Sequence, residues 1–136
     1  MKIYLAARYS RHPEMQRCRD DLEALGHTVT SRWINGDHKM VNDSMFSPGD
    51  EKIAERFALE DYGDLLEADC VISFTEPQRS TNSRGGRHVE FGIALGLGKH
   101  NVIVGPKENV FHYMPCLDVY DSWPEFLSQE QKTGES

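Results

Sequence analysis

The chain has 136 residues, of which 38% are hydrophobic and 27% are charged, as expected for one ordinary globular domain. Its formal net charge of −7 argues against a nucleic-acid-binding scaffold, because such a protein needs a broad basic surface against the phosphate backbone. No apolar run is long enough to cross a bilayer, and a strand begins directly after Met1, so we expect no signal peptide and a cytoplasmic protein.

The predicted elements alternate between strand and helix along the chain. Short apolar or alternating runs predict strands at residues 3–7, 27–33, 70–74, 101–104 and 117–120. Helical spacing of apolar residues predicts helices at 13–25, at 50–68, around Glu90 up to Gly98, and near 124–127. A long polar loop is predicted at 34–49, and a frayed polar tail at 129–136.

This alternation predicts a single α/β domain over residues 1–128, followed by the tail. Short strand–helix connections imply a parallel sheet covered by helices on both faces. For five strands we predict the flavodoxin-like order 2-1-3-4-5, in which the ligand crevice lies where the first and third strands end. Residues 6–10, residues 75–86 and the start of the Glu90 helix therefore meet at that crevice.

Glu90 is the leading candidate for a reactive group. It begins an apolar stripe that continues through Ile93, Ala94 and Leu97. We therefore expect its carboxylate on the inward side of the first helical turn, where the helix dipole favours the ionised form. An ionised, partly buried carboxylate can act as a nucleophile at a sugar anomeric carbon. A glutamate that only complements the helix dipole is the alternative.

A second carboxylate, Asp61, interrupts the apolar face of the preceding helix, between Phe57 and Leu65. Burial there is expected to raise its pKa toward that of a proton donor. Cleavage of a glycosidic bond requires one ionised and one protonated carboxyl group, so the two residues form a candidate pair. Asp64 and Glu60 point elsewhere on the helix and are expected to be solvated. An Asp61 that only bonds a neighbouring loop is the alternative.

These motifs together resemble the nucleoside 2-deoxyribosyltransferase family, which includes deoxynucleoside 5′-monophosphate N-hydrolases. The resemblance spans residues 2–106 and rests on Ile3-Tyr4-Leu5, the helix end from Asp61 to Asp69, and Gly86-x-x-x-Glu90-x-Gly92-x-Ala94. It implies cleavage or transfer at the N-glycosidic bond of a (2-deoxy)nucleoside or its 5′-monophosphate through a covalent glycosyl-Glu90 intermediate. Asp61 would help to protonate the departing base, and Tyr4 would orient Glu90. Independently, a buried tyrosine in an apolar strand needs a partner for its hydroxyl. A tyrosine that caps the core with its hydroxyl in solvent is the alternative.

The chain departs from the family six residues before Glu90. Nucleoside-specific members place an acidic residue there and nucleotide hydrolases a serine, whereas this chain has Arg84. Arg84 and Ser83, followed by Gly86 at the start of a helix, favour a cradle for a 5′-phosphate. A solvated basic loop is the alternative.

Further substrate contacts are predicted outside this loop. Ala6 and Arg8 lie at the end of the first strand, beside the crevice. The resemblance implies a homo-oligomer in which adjacent subunits complete each site, and Asn109 is the predicted contribution to the neighbouring site. The acceptor, water or a second base, stays open at this point.

The cysteines and histidines have no spacing typical of a metal site or a disulfide framework. We therefore expect reduced thiols, no metal and no cofactor. Two other functions stay open besides N-glycosidic chemistry. One is a non-catalytic nucleotide-binding module that uses the same crevice, and the other is a flavin-type electron carrier suggested by the fold class alone.

Overall fold

A computed structural model describes residues 1–36, 51–77 and 85–134. In these ranges five parallel strands form one sheet in the order β2-β1-β3-β4-β5. They are β1 (Lys2–Ala6), β2 (Thr28–Val29), β3 (Cys70–Phe74), β4 (His100–Val104) and β5 (Asp118–Tyr120). The helices are α1 (His12–Ala24), α2 (Glu51–Glu67), α3 (Gly86–Gly96) and α4 (Trp123–Gly134). The predicted α/β fold and strand order are confirmed.

Helices cover both faces of the sheet. Side chains alternate between the two faces along each strand, so their contacts show which helices lie on which face. Tyr4 projects toward α3, where its hydroxyl donates a hydrogen bond to Glu90. Phe74 projects from the opposite face, and its ring lies 5.5 Å from the ring of Trp123 in α4. Trp123 donates its indole N–H to Asp21 of α1 at 2.9 Å, so α1 and α4 share that face. The other face is covered by α2 and α3, which contact each other and β1.

The central strand β3 is buried along its whole length, since it lies inside the sheet with helices on both sides. Such a strand has a continuous apolar sequence rather than an alternating one. This explains why residues 70–74 are predicted with the observed bounds. Within the described ranges, no helix combines the length and the apolar character that crossing a bilayer requires.

The second strand is shorter than the alternating pattern predicts. It ends at Val29, and Trp33 lies instead in a 3₁₀ helix over Arg32–Asn35. Trp33 is buried and donates its indole N–H to the carbonyl oxygen of Leu5 at 2.8 Å. Its apolar side chain therefore reflects packing into the core, which a pattern of alternation does not distinguish from strand pairing.

The last helix is longer than predicted. The sequence predicts a short helix and a frayed tail from residue 129, whereas α4 continues to Gly134. Glu130, inside the predicted tail, lies with Oε2 3.3 Å from Nε2 of His27, and this contact holds the helix against the rest of the chain. Most of the predicted loop at 34–49 lies outside the described residues.

Gly105, at the end of β4, has a backbone conformation that other residues adopt only with strain. Its φ is +121°, and an added Cβ would lie 2.5 Å from Oγ1 of Thr75 and 3.3 Å from its carbonyl oxygen. We expect Gly105→Ala to lower the free energy of unfolding by about 2 kcal/mol or more. The measurement is urea denaturation of the purified variant.

Gly63 in α2 provides the matched control. Among the described residues no atom lies within 4 Å of a Cβ built there. Gly63→Ala is therefore expected to raise the free energy of unfolding by about 0.5–1 kcal/mol, since alanine favours a helix interior over glycine. Two alanine variants with equal effects would contradict the conformational argument for Gly105.

Candidate active site

The candidate site lies at the switch point of the strand order, where β1 and β3 end and the helices α2 and α3 approach. Tyr4 comes from β1, Asp61 from α2 and Glu90 from α3. The Tyr4 hydroxyl donates a hydrogen bond to Oε2 of Glu90. The charge of Asp61 raises the pKa of both Tyr4 and Glu90, so the three side chains form one electrostatic cluster. We call it the Tyr4–Asp61–Glu90 cluster.

Glu90 is protonated at neutral pH, contrary to the expectation from the sequence. Burial raises its pKa to about 8; the hydrogen bond from Tyr4 acts in the opposite direction, and the charge of Asp61 adds to the rise. The prediction that the helix N-terminus keeps Glu90 ionised is therefore wrong for the free protein at neutral pH. Loss of water around the carboxyl group outweighs the helix dipole.

Tyr4 is fully buried in the middle of the sheet. Burial and the negative charges of Glu90 and Asp61 raise its pKa well above the usual value, so its hydroxyl keeps its proton. Tyr4 therefore acts as a hydrogen-bond donor toward Glu90 at any physiological pH. The structure therefore places Tyr4 against Glu90, the residue that the resemblance implies it orients.

Asp64 differs from the prediction. It is only 5% exposed, where the sequence analysis expects a solvated side chain. Its carboxylate accepts the backbone N–H of Arg32 at 3.0 Å and pairs with the guanidinium Nη2 at 2.9 Å. Glu60 joins the same arginine, with Oε1 3.3 Å from Nη1. The ionic partner lies 32 residues away in sequence, so helical spacing alone does not reveal it.

The inward stripe of α3 agrees with the predicted one at Ala94, which is buried, and at Ile93, which packs against the core, but it includes Arg87 and Phe91 and excludes Leu97. Arg87, Phe91 and Ala94 are its buried residues, whereas Leu97 is 55% exposed. Sequence reasoning missed the burial of Arg87 because an arginine is seldom fully buried unless it is paired. The spacing of 87, 91 and 94 is the only sequence signal for this orientation.

Two predicted substrate contacts lie on the same elements as Tyr4 and Glu90. Ala6 is buried at the end of β1, and Gly86 is the exposed first residue of α3. Arg8 follows β1, with Nη1 3.2 Å from Oε1 of Glu76, and its side chain is 31% exposed. Glu76 also accepts a hydrogen bond from Arg11 at 2.9 Å. This buried glutamate, two residues after β3, was not predicted.

Three predicted substrate contacts remain. Ser83 and Arg84 lie outside the described residues. Asn109 precedes a 3₁₀ helix over Val110–Tyr113, and its Oδ1 accepts the backbone N–H of Phe111 at 2.9 Å. That contact is a helix cap within the chain. A contribution of Asn109 to a neighbouring subunit stays a prediction.

The fold is shared with solved structures over nearly the whole chain. A 2-deoxyribosyltransferase from Bacillus psychrosaccharolyticus superposes with a TM-score of 0.71 at 20% identity, covering 98% of this chain and 96% of the other. A CMP N-glycosidase from Clostridium botulinum gives 0.60 at 20% identity, covering 97% and 99%. A conserved protein from Enterococcus faecalis V583 gives 0.59 at 14% identity, covering 98% of both chains.

These similarities concern the fold. No protein-family model matches the chain, and no curated protein is significantly similar to it in sequence. At 20% identity a shared fold does not establish a shared reaction, because one fold serves many reactions. The residues that indicate a reaction for this chain are those of the Tyr4–Asp61–Glu90 cluster.

Proposed function

We propose that the protein is an enzyme that cleaves or transfers at the N-glycosidic bond of a (2-deoxy)nucleoside or its 5′-monophosphate. The main support is the Tyr4–Asp61–Glu90 cluster, in which two carboxyl groups and a tyrosine hydroxyl converge at the switch point of the sheet. The two enzymes of similar fold are a 2-deoxyribosyltransferase and a CMP N-glycosidase, whose names describe this type of chemistry.

The raised pKa of Glu90 means that the two carboxyl groups together retain one proton up to about pH 8. In the proposed mechanism the proton of Glu90 passes to Asp61 when the substrate is bound, which leaves Glu90 ionised. A Glu90 oxygen then bonds to the anomeric carbon as the carbon–nitrogen bond breaks. The electron pair goes to the base, which takes the proton from Asp61.

The second half of the reaction regenerates the enzyme. Water or a second base attacks the anomeric carbon, the bond to Glu90 breaks, and the proton of the acceptor returns to Asp61. Transfer to a second base is the function that we propose first. Hydrolysis that releases free base is the alternative, and the covalent step is common to both.

A survey of products tests the proposal. The protein is incubated with nucleosides and their 5′-monophosphates, with and without an added acceptor base, and the products are separated by chromatography. A new nucleoside that forms only with the acceptor indicates transfer, and free base without it indicates hydrolysis. Binding of a nucleotide with no product from any substrate would favour the non-catalytic binding module instead.

We also propose that the chain forms a homo-oligomer through the outer surface of α2, α3 and the 3₁₀ helix over Val110–Tyr113. Of the eleven exposed large hydrophobic side chains in the described ranges, ten lie on these elements or directly beside them and the other is Met1. Tyr62 on α2, Leu97 directly after α3 and Phe111 on the 3₁₀ helix are examples. The helices α1 and α4, on the opposite face, contribute none of the eleven.

The charge distribution on α3 supports a second copy as the partner. Its two charged residues are Arg87, which is buried, and Glu90, whose carboxyl group points to Tyr4. Two copies of α3 can therefore meet without repulsion between like charges. A stable interface buries about 800 Å² on each partner, and a surface this rich in exposed apolar side chains is suited to that.

We expect Leu97→Glu to dissociate the oligomer. The wild-type protein should have a molar mass that is a multiple of 15.5 kDa by light scattering, and the variant should have the monomer mass. Ser128→Glu, which adds the same charge at an exposed position of α4, should leave the assembly unchanged. A monomeric wild-type protein would contradict the proposal.

A further inference from the structure

A buried ion pair connects the start of α3 to the loop after β4. Arg87 is 5% exposed, and its guanidinium donates two hydrogen bonds to the Glu108 carboxylate, one of them from Nη2 to Oε1 at 2.9 Å. Burial alone would raise the pKa of Glu108, but the hydrogen bonds and the charge of Arg87 lower it below its usual value. The pair is therefore fully ionised, with the two-bond geometry that fixes orientation as well as distance.

Glu108 is itself held in place from two other directions. Its backbone N–H donates to Nδ1 of His112 at 3.0 Å, and the ring of His112 packs edge-on against Phe91 of α3 at 5.1 Å. A backbone hydrogen bond from Glu76 also reaches the Glu108 carboxylate. Glu108, the partner of Arg87, is therefore fixed beside the carboxyl ends of β3 and β4.

Among the described residues, weaker side-chain contacts from His88 to Glu108 and His112 also anchor the first turn of α3. The residue that precedes this turn, Gly85, has φ +86° and no side chain that could cap the helix, and the first turn contains no acidic residue. A cation near a helix N-terminus opposes the helix dipole, and its burial adds a further cost. Arg87 is nevertheless buried there, which indicates that its pair with Glu108 determines where the first turn lies.

We propose that Arg87 is a positioning residue that, through Glu108, fixes the rotation of α3 so that Glu90 faces the Tyr4 hydroxyl. Glu90 follows Arg87 by three residues, which is less than one helical turn, so a shift at Arg87 displaces Glu90 directly. The inference rests on the proposed function, in which Glu90 attacks the sugar. Arg87 acts through the position of the helix and not through its charge. The pKa of Glu90 is determined by burial, by the hydrogen bond from Tyr4 and by the charge of Asp61.

The experiment follows the Glu90 carboxyl group by NMR in protein labelled with ¹³C at glutamate, with Glu90→Gln used to assign the signal. In the wild-type protein its titration midpoint should lie near pH 8. Arg87→Lys keeps the charge but loses one of the two bonds, so water should reach Glu90 and the midpoint should fall below pH 7. We expect kcat for base release to fall at least tenfold, with KM changed less than twofold.

Glu108→Gln removes the carboxylate partner of Arg87. It should also lower the titration midpoint of Glu90 and kcat, so it provides a second test if Arg87→Lys does not fold. Phe126→Leu is the stability control, since Phe126 packs against Trp123 on the opposite face of the sheet and its loss should leave the Glu90 midpoint unchanged. Loss of thermal stability in the Arg87 and Glu108 variants, with a midpoint still near pH 8 and unchanged kcat, would overturn the inference. Absence of base release in the wild-type protein would instead refute the proposed function, while the NMR midpoints still test the role of Arg87.

Discussion

Replacement of Glu90 by glutamine should abolish turnover and at the same time make the protein more stable at pH 8. Glutamine has nearly the shape of the protonated glutamate and can still accept the hydrogen bond from Tyr4. It provides no carboxylate to form the glycosyl intermediate, so we expect kcat to fall by about a thousandfold or more. The measurement is base release at saturating substrate, with the fold checked by circular dichroism. Full activity in this variant would refute the mechanism.

The gain in stability follows from proton binding. In the folded protein Glu90 keeps its proton up to about pH 8, whereas in the unfolded chain it loses the proton near pH 4.5. Between these values the unfolded chain binds fewer protons, so this group makes the wild-type protein less stable as pH rises from 4.5 to 8 and adds no further loss above that. The Glu90→Gln variant lacks this contribution, and the titratable groups outside the Tyr4–Asp61–Glu90 cluster cancel in the comparison because they titrate alike in both proteins.

The comparison therefore isolates Glu90. Relative to the wild type, Glu90→Gln should gain about 3 kcal/mol in the free energy of unfolding between pH 5 and pH 8. Urea denaturation of both proteins at the two pH values measures the difference. A constant difference between the proteins across this range would show that burial does not raise the pKa of Glu90.

Replacement of Asp61 by asparagine should reverse the pH dependence of the reaction. In the wild-type protein the active form of the carboxyl pair holds one proton, so kcat/KM should fall above about pH 8, where that proton is lost. Asp61→Asn removes both the proposed proton donor and a charge that raises the pKa of Glu90. We expect a loss of about a hundredfold or more in kcat with natural nucleosides.

The residual activity of Asp61→Asn then depends on ionised Glu90 alone, so it should increase with pH and level off below pH 8. A deoxyriboside with a nitrophenol leaving group, which departs without a proton, should recover much of the lost rate. Tyr4→Phe is the matched control. Loss of the hydrogen bond from Tyr4 raises the pKa of Glu90, so the decrease of kcat/KM at alkaline pH should move to higher pH. An Asp61→Asn profile with the wild-type shape would exclude Asp61 as the proton donor.

The parts of the fold that depend on local pattern could be predicted from the sequence. The continuous apolar run of β3 and the strand–helix alternation predict the parallel sheet, whose observed order places the helix that carries Glu90 over the strand that carries Tyr4. The protonation of Glu90 could not be predicted in this way. It depends on how much water the packed helices remove, which is a property of tertiary structure.

The partners of buried charges were missed for a related reason. Asp64 pairs with Arg32, and Arg87 pairs with Glu108, across 32 and 21 residues respectively. Helical spacing indicates which face a residue occupies, but it does not show which distant charge makes burial acceptable. The sequence therefore predicts a solvated Asp64, and the burial of Arg87 is missed, although each pair joins its helix to a distant part of the chain.

The location of Tyr4 in the sheet limits how the site can adapt to a ligand. Its strand, β1, is bonded to a parallel strand on either side, so displacing the backbone of Tyr4 would require breaking hydrogen bonds between strands. The phenol therefore provides a fixed reference point for the site. Under the proposed function, the carboxyl groups adjust to different sugars through small movements of α2 and α3 relative to the sheet.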